Sequence, residues 1–258
     1  MDVTVSIVSH GHHDHVRALC RQLAEFSGQK IAKVVVTSNV PQLDNFLEQE
    51  KLDATPSELV IVQNPLPLGF GANHNRAFEL CDTPYFCVLN PDVSLDVQPF
   101  DGLLRLLTDD RVGCAYPLQV NASLLVLDSE RTLATPWAIV RRHLPWFGTR
   151  LKQADASARL DEVKPVHWVN GAFMLFRSDV FRQLGGFDER YFMYCEDVDI
   201  CLRLQSAGYT LARADATVIH DTRRRTLRDF RHFSWHITSL FRLWNSQAYR
   251  DFKRRFVV

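Results

Sequence analysis

Apolar residues in this chain come in short dense runs separated by amphipathic stretches, and that alternation predicts the elements. Val3-Thr4-Val5-Ser6-Ile7-Val8 reads as a buried strand, and from about Asp14 the residues Val16, Leu19, Cys20 and Leu23 recur with the spacing of one helical face. Lys33 to Thr37, Leu59 to Val62 and Tyr85 to Leu89 are three more strand-length runs with helical segments between them. A βα series of this kind implies parallel strands, right-handed crossovers and a doubly wound sheet. Ligands bind beyond the carboxyl ends of such strands, where Ser9-His10, Ser38-Asn39 and Asn90-Pro91-Asp92 all fall.

From about Leu118 to Lys164 the pattern is irregular and predicts a connecting excursion. It resumes with Val166 to Val169 and Gly171 to Phe176 as strands, a short helix capped by Ser178 and closed at Gly185, and a strand near Thr210 to Arg213. Before that last strand Glu196-Asp197 opens a helix that stops at Gly208. Its Val198, Cys201 and Leu202, with Ile200 and Leu204 beside them, predict burial against a sheet. Glu196, Asp197 and Asp199 sit in its first turn, where the helix dipole favours carboxylates. Adjacent helical residues point roughly 100° apart, so Glu196 and Asp197 cannot face one partner, and one is left to anchor while the other faces a cleft. Beyond His220, Phe230, Phe233, Ile237, Leu240, Phe241 and Trp244 recur by threes and fours among Arg228, Arg231 and Arg242. Core packing explains that stripe, and so does adsorption to an anionic membrane.

With 258 residues, 46% hydrophobic, the chain fits one large α/β domain with an appendage. No apolar run approaches the ~20 residues that span a bilayer, and Met1-Asp2-Val3 lacks the charged start of a signal peptide, so a cytoplasmic location is expected. Six scattered cysteines without a Cys-x-x-Cys pair read as reduced thiols. The net charge of zero hides an asymmetry: from Asp221 onward ten Lys or Arg residues face three acids, a surplus of seven, which leaves residues 1–220 with a deficit of seven. An acidic body suits a metal or metal-bound anion, and a basic tail suits a phosphate-rich surface. Nucleic acid is not an expected partner.

Three local motifs carry chemistry. His10-Gly11-His12-His13-Asp14-His15 looks like the zinc motif of metallo-β-lactamase-type hydrolases, with His74 at a tolerable distance as a further ligand. Only one strand precedes it, where those enzymes build several, and a histidine-rich helix start is the competing reading. Leu68-Gly69-Phe70-Gly71-Ala72-Asn73-His74-Asn75-Arg76-Ala77 is a glycine-rich turn into a helix, suited to a ligand anion or to an ordinary loop. Asn90-Pro91-Asp92 delivers one carboxylate to the sheet's ligand edge, which suits Mg²⁺ or Mn²⁺ sharing a substrate phosphate, or simply makes a turn.

Taken together, Gly69-Phe70-Gly71 with Asn75, Asn90-Pro91-Asp92, Trp168 through Ala172, Gly185-Gly186-Phe187-Asp188-Glu189, Phe192, Glu196-Asp197-Val198-Asp199, Leu202-Arg203, Ala207-Gly208-Tyr209 and His220 follow an order and spacing that resembles the family-2 glycosyltransferases over residues 3–220. Ile7 to His12, Tyr191 to Leu204, and Phe233-Ser234-Trp235-His236 with Phe241-Arg242 resemble bacterial rhamnosyltransferases of O-antigen assembly. The resemblance implies an A-type glycosyltransferase fold, Rossmann-like, with a mostly parallel central sheet flanked by helices and a C-terminal helical extension. It further implies inverting displacement at the donor sugar and Mg²⁺ or Mn²⁺ on a nucleotide diphosphate. Carried over, Asp197 is the general base and Glu196 orients the base or the acceptor, while Asp92 and His220 meet the metal. Ser9, His10, Ser38, Asn39, Gly69, Gly71, Asn75, Arg76, Asn90, Gly171 and Arg223 line the nucleotide sugar, and Trp168, Phe192 and Tyr194 shape the acceptor side. Ser38 stands where members carry an Asp that reads the base, which leaves the base preference open.

The implied enzyme moves a sugar, L-rhamnose from dTDP-rhamnose, to a glycan on a polyprenyl diphosphate at the cytosolic face of the inner membrane, in synthesis of cell-surface polysaccharide such as the O-antigen of lipopolysaccharide. Residues 1–220 would form the transferase domain, with 1–115 binding nucleotide and 165–220 serving acceptor and catalysis, and 221–258 would be a basic aromatic tail on the anionic membrane. The rival readings are transfer from another UDP- or GDP-sugar, a zinc-dependent hydrolase, and a non-catalytic nucleotide-sugar binder.

Overall fold

The computed structural model describes residues 2–26, 30–40, 58–133, 165–221 and 230–256. Strand β1 (Val3–Ser9) lies between β2 (Ile31–Ser38) and β4 (Tyr85–Leu89), with β3 (Glu58–Gln63) beyond β2, and all four run parallel. Helices α1 (His13–Phe26) and α2 (Phe70–Phe78) belong to this half. Next to β4 comes β9 (Phe173–Arg177), antiparallel to both β4 and β6 (Val112–Val120), then β10 (Thr210–His220), and the two-residue β5 (Val93–Ser94) at the edge. A separate ribbon pairs β7 (Glu130–Arg131) with β8 (Trp168–Val169).

Period-two alternation assigns each strand residue to one of two cores. Val5 and Ile7 of β1, Val34 and Val36 of β2, and Cys87 and Leu89 of β4 face the layer holding α1 and α3 (Phe100–Leu106). Val35, Phe86 and Val88 face the other, with α4 (Ser178–Gln183) and α5 (Glu196–Ser206). The predicted face of α1 is the one buried: Val16, Leu19, Cys20 and Leu23.

Helix α5 is apolar on two sides because it is covered on two sides. Ile200, Cys201 and Leu204 pack toward the sheet. Val198 and Leu202, which were expected to do the same, instead meet Leu243, Tyr249 and Phe252 of the C-terminal helices α6 (Phe230–Trp244) and α7 (Gln247–Phe256). Burying one such side chain contributes about 1.5–3 kcal/mol, so α7 is a tenant of the fold and not a loose tail.

Other expectations shift. Strand β6 runs through Leu118, into what reads as an excursion, and so includes Pro117. Its missing N–H is accommodated by an irregularity in β10, where pairing skips from Arg213 opposite Tyr116 to Thr217 opposite Leu118. Ser178 is the first helical residue of α4 and not its cap, since Arg177 holds the cap position in extended conformation. The expected strand from Val166 shortens to Trp168–Val169. The apolar stripe of α6 divides: Phe230, Phe233, Ile237 and Phe241 are exposed, whereas Leu240 and Trp244 are partly buried against the cluster that holds Leu243. Among the described residues no helix is long and apolar enough to cross a membrane.

Candidate active site

Three consecutive residues between β8 and β9, Asn170-Gly171-Ala172, tie together the groups that the sequence singles out. The Gly171 N–H donates to Asp197 Oδ2 at 3.2 Å. The Ala172 carbonyl accepts the Asn90 N–H at 2.8 Å. Asn170 forms a two-way amide pair with Gln119 at the end of β6, and Gln119 Oε1 in turn faces His220 Nδ1 at 3.0 Å. The middle position is closely packed, since a Cβ there would lie 3.2 Å from the Phe70 ring, which would have to give by a few tenths of an ångström, and 3.6 Å from Asp197 Cβ.

The pair Asp92 and His220 follows from this network. The Ala172 N–H donates to Asn170 Oδ1, which sets the direction of that amide and so of Gln119, whose Oε1 accepts from both Asn170 Nδ2 and His220 Nδ1. Nε2 of His220, wherever it carries no proton, therefore turns its lone pair toward Asp92, whose Oδ1 lies 3.4 Å away, buried and without a hydrogen-bond partner. Two acceptors facing each other need a proton or a cation between them. Burial pushes the Asp92 carboxyl up, the contact with His220 and smaller contributions from the backbone and His12 together pull it down, and the net direction is down. The donor set fits Mg²⁺ or Mn²⁺, which take few protein ligands and leave positions for phosphate oxygens.

At the start of α5 the two adjacent carboxylates differ in environment. Burial pushes the Asp197 carboxyl up, and the N–H groups of Gly171 and Val198 that it accepts oppose that push by favouring its charged form. Glu196 is buried, its Oε2 meets no donor, and burial followed by the charge of Asp197 pushes its carboxyl up. Both carboxyls are pushed up, and the donors on Asp197 against none on Glu196 Oε2 favour Glu196 as the holder of the proton the pair shares. The linkage sign is fixed by this. Between its ordinary value of 4.5 and the raised one, folded Glu196 holds a proton that the unfolded chain releases, so stability falls with rising pH by on the order of 1.4 kcal/mol per pH unit at most. Glu196→Gln is expected to melt increasingly above wild type as pH rises from about 5 to 8. A gap that stays constant over that range contradicts the assignment.

The other predicted residues divide. Ser9 and Ser38 pair across β1 and β2 at the ligand edge, but the Ser9 hydroxyl accepts the His12 N–H and the Ser38 hydroxyl donates to the Val40 carbonyl. Asn39 clamps the backbone of Leu68 with both ends of its amide and approaches the exposed His10 at 3.4 Å. Arg76 donates to Asn64 Oδ1, and Asn75 holds the N–H and carbonyl of Phe187. Gly69 and Gly71, expected to admit a ligand, admit the protein itself: a Cβ would lie 2.7 Å from the Phe192 carbonyl oxygen at the first and 2.6 Å from Phe187 Cβ at the second. Trp168 lies under the Arg131 guanidinium, Phe192 packs on Trp235 with ring centroids 4.8 Å apart, and the Tyr194 hydroxyl meets His232 Nδ1 at 2.9 Å. Arg223 lies outside the described residues, as do Arg224 and Arg225.

Gln119 and His232 escaped notice in the sequence, and Asn170 and Trp235, though within the stretches that carry the resemblance, had no role assigned. A buried Gln at a strand's carboxyl end was the available signal for the first, and it was hidden by the misread strand. The zinc reading loses its distant ligand, since His74 is buried, bonded to Ser6 Oγ through Nδ1, and held neutral by burial that lowers its pKa to about 3. Among the described residues no group of three or more His, Cys, Asp or Glu side chains converges on a metal-sized space.

The profile of the family described as glycosyl transferase family group 2 matches residues 86–250. Rhamnosyltransferase WbbL of Escherichia coli (strain K12) is 29% identical over 259 residues, which cover 93% of this chain and 91% of the relative. The N-acetylglucosaminyl-diphospho-decaprenol L-rhamnosyltransferase of Mycobacterium tuberculosis (strain ATCC 25618 / H37Rv) is 35% identical over 157 residues, 55% of this chain and 48% of that relative. Among solved structures, the mannosyltransferase PcManGT from Pyrobaculum calidifontis, in complex with GDP-Man and Mn²⁺, superposes with a TM-score of 0.64 at 15% identity over 98% of this chain and 67% of that one. At that identity the likeness shows the fold alone, and the fold is of the A type.

Proposed function

The chain belongs to glycosyltransferase family 2 and is a glycosyltransferase, and on that premise we propose that it transfers L-rhamnose from dTDP-rhamnose, with inversion, to a glycan carried on a polyprenyl diphosphate. The observation that carries this reading is the pairing of two features on one loop: Gly171 holds Asp197, and Asn170 reaches through Gln119 to the Asp92 and His220 pair. An inverting transfer needs a base at the acceptor hydroxyl and charge neutralisation at the departing diphosphate. The names of the relatives supply the sugar and the lipid carrier.

In this reading Asp197 takes the acceptor proton. Its two N–H donors oppose the upward push of burial and fix its direction, while a proton held on Glu196 removes a second negative charge beside it. Asp92 and His220 would hold Mg²⁺ or Mn²⁺, which when bound supplies positive charge to the leaving diphosphate. The hydroxyl of Ser38 and the amide of Asn39 are committed to backbone, so the nucleobase would be read by main-chain groups at that edge. Residues 1–115 serve the donor and 165–220 the acceptor. The exposed ridge of α6, with the basic surplus of residues 221–258, rests on the anionic cytosolic face of the inner membrane, where the acceptor resides.

Thermal-shift measurements with dTDP, UDP and GDP, each with Mn²⁺, test the donor. Ligand at a hundred times its Kd stabilises by about 2.7 kcal/mol, and a chain of this size gains about 2–4 °C per kcal/mol. The expected result is a rise of several degrees that is largest with dTDP. A larger shift with GDP or UDP sinks the rhamnose assignment, and no shift with any nucleotide sinks the donor site.

A further inference from the structure

We propose that α6 couples an anionic bilayer surface to the segment leading into the catalytic helix: its outer ridge lies in the lipid interface while its inner face holds residues 190–195. The proposal rests on the membrane reading above and adds to it a mechanical consequence.

Helix α6 keeps one of its apolar ridges outside. Phe230, Phe233, Ile237 and Phe241, at i, i+3, i+7 and i+11, form one ridge with exposures of 86, 53, 38 and 59%. A helix packed on a globular body buries such a ridge and exposes its polar residues. Here the ridge stays outside, while the inner side adds polar anchors to the apolar contacts of Leu240, Leu243 and Trp244. The Ser239 hydroxyl donates to the Met193 carbonyl at 2.8 Å, the Tyr194 hydroxyl and His232 Nδ1 share a hydrogen bond, and the Arg242 guanidinium donates to the Arg190 carbonyl. Phe192 packs on Trp235, and Tyr194 on His236 with centroids 5.0 Å apart. The occupant of the ridge follows from charge and length. Arg231 is exposed on the same helix and Arg250, Arg254 and Arg255 on α7, which suits anionic headgroups. Fifteen residues are too few to span a bilayer, so the helix lies along it.

The segment held by the inner face is strained. Tyr194 and Cys195 are consecutive non-glycine residues with φ of 71° and 67°, in the left-handed region that L side chains disfavour. Such a conformation persists where its surroundings enforce it. The hydrogen bonds from α6 fall on Arg190, Met193 and Tyr194, and the next residues are Glu196 and Asp197. Fixing α6 in an interface therefore restrains the backbone that aims the base, and Ser239 acts as a positioning residue.

Hydrogen–deuterium exchange of the full chain, with and without vesicles of phosphatidylglycerol and phosphatidylcholine at three to seven, tests this. The protein is expected to sediment with the vesicles and to show at least about threefold slower exchange over residues 190–197 when bound. Phe230→Ser with Phe241→Ser is expected to lose both effects. Ser239→Ala, and Tyr194→Phe as a second variant with a melting temperature to report folding, are expected to keep sedimentation and lose the slowing. Wild type that sediments without any slowing overturns the coupling and leaves the membrane reading standing. Slowing that survives in both inner-face variants also overturns the coupling. Wild type that does not sediment overturns the membrane reading and the coupling with it.

Discussion

Asp197→Asn is expected to lower glycosyl transfer by about 10²–10⁴-fold while leaving dTDP binding with Mn²⁺ within experimental error of wild type. The amide has the shape of the carboxylate but cannot take a proton at neutral pH, so the loss falls on the chemical step. Structurally the change is mild. One of the two N–H groups that the carboxylate accepts, Gly171 or Val198, would face an amide donor, costing about 1 kcal/mol, and relief of a half-buried charge offsets part of that. Melting temperature should therefore move by only a few degrees, which separates lost catalysis from lost fold. Transfer surviving above a tenth of wild type would remove Asp197 from the role of base. Glu196 would not replace it, because its carboxyl is protonated and buried.

Asp92→Ala is expected to abolish the Mn²⁺-dependent part of nucleotide affinity and to reduce transfer by about 10²-fold or more, since it removes one of the two side chains that would hold the cation and with it the charge opposite the leaving group. Calorimetric titration of dTDP with and without Mn²⁺ reads the first effect directly. The ratio of the two affinities should fall toward one in the variant. An unchanged ratio means that the cation is held elsewhere. His220 remains in its hydrogen bond to Gln119, so the sheet edge at β10 should keep its stability.

Local signals were legible in the sequence wherever they were strong and contiguous. The run Tyr85 to Leu89 coincides with β4, and the four residues expected on the buried face of α1 are the four found there. Pairing between distant segments was not legible. Nothing in Phe173 to Arg177 says that it enters antiparallel between β4 and β6, because strand partners are set by packing across the whole sheet. Asp92, His220, Glu196 and Asp197 stood out as chemistry at element ends. Gln119 and Asn170 did not, since their importance comes from being buried polar groups with defined partners. Helix α6 shows a different limit. Periodicity revealed its stripe, but period alone does not say which side of the stripe meets water.

The loop Asn170-Gly171-Ala172 sets a rule for redesign. Each of its residues is committed to a different client, His220 through Gln119, Asp197, and Asn90, so the spacing between proton removal and leaving-group departure is a property of one stretch of main chain. An insertion there would detune both halves of the reaction at once. Exchanging the edge at β2 and β3 leaves that ruler intact, whereas the C-terminal helices cover Val198 and Leu202 of α5 and hold the segment before it. New donors are therefore best sought by grafting at that edge, with the three residues of the loop kept as they are.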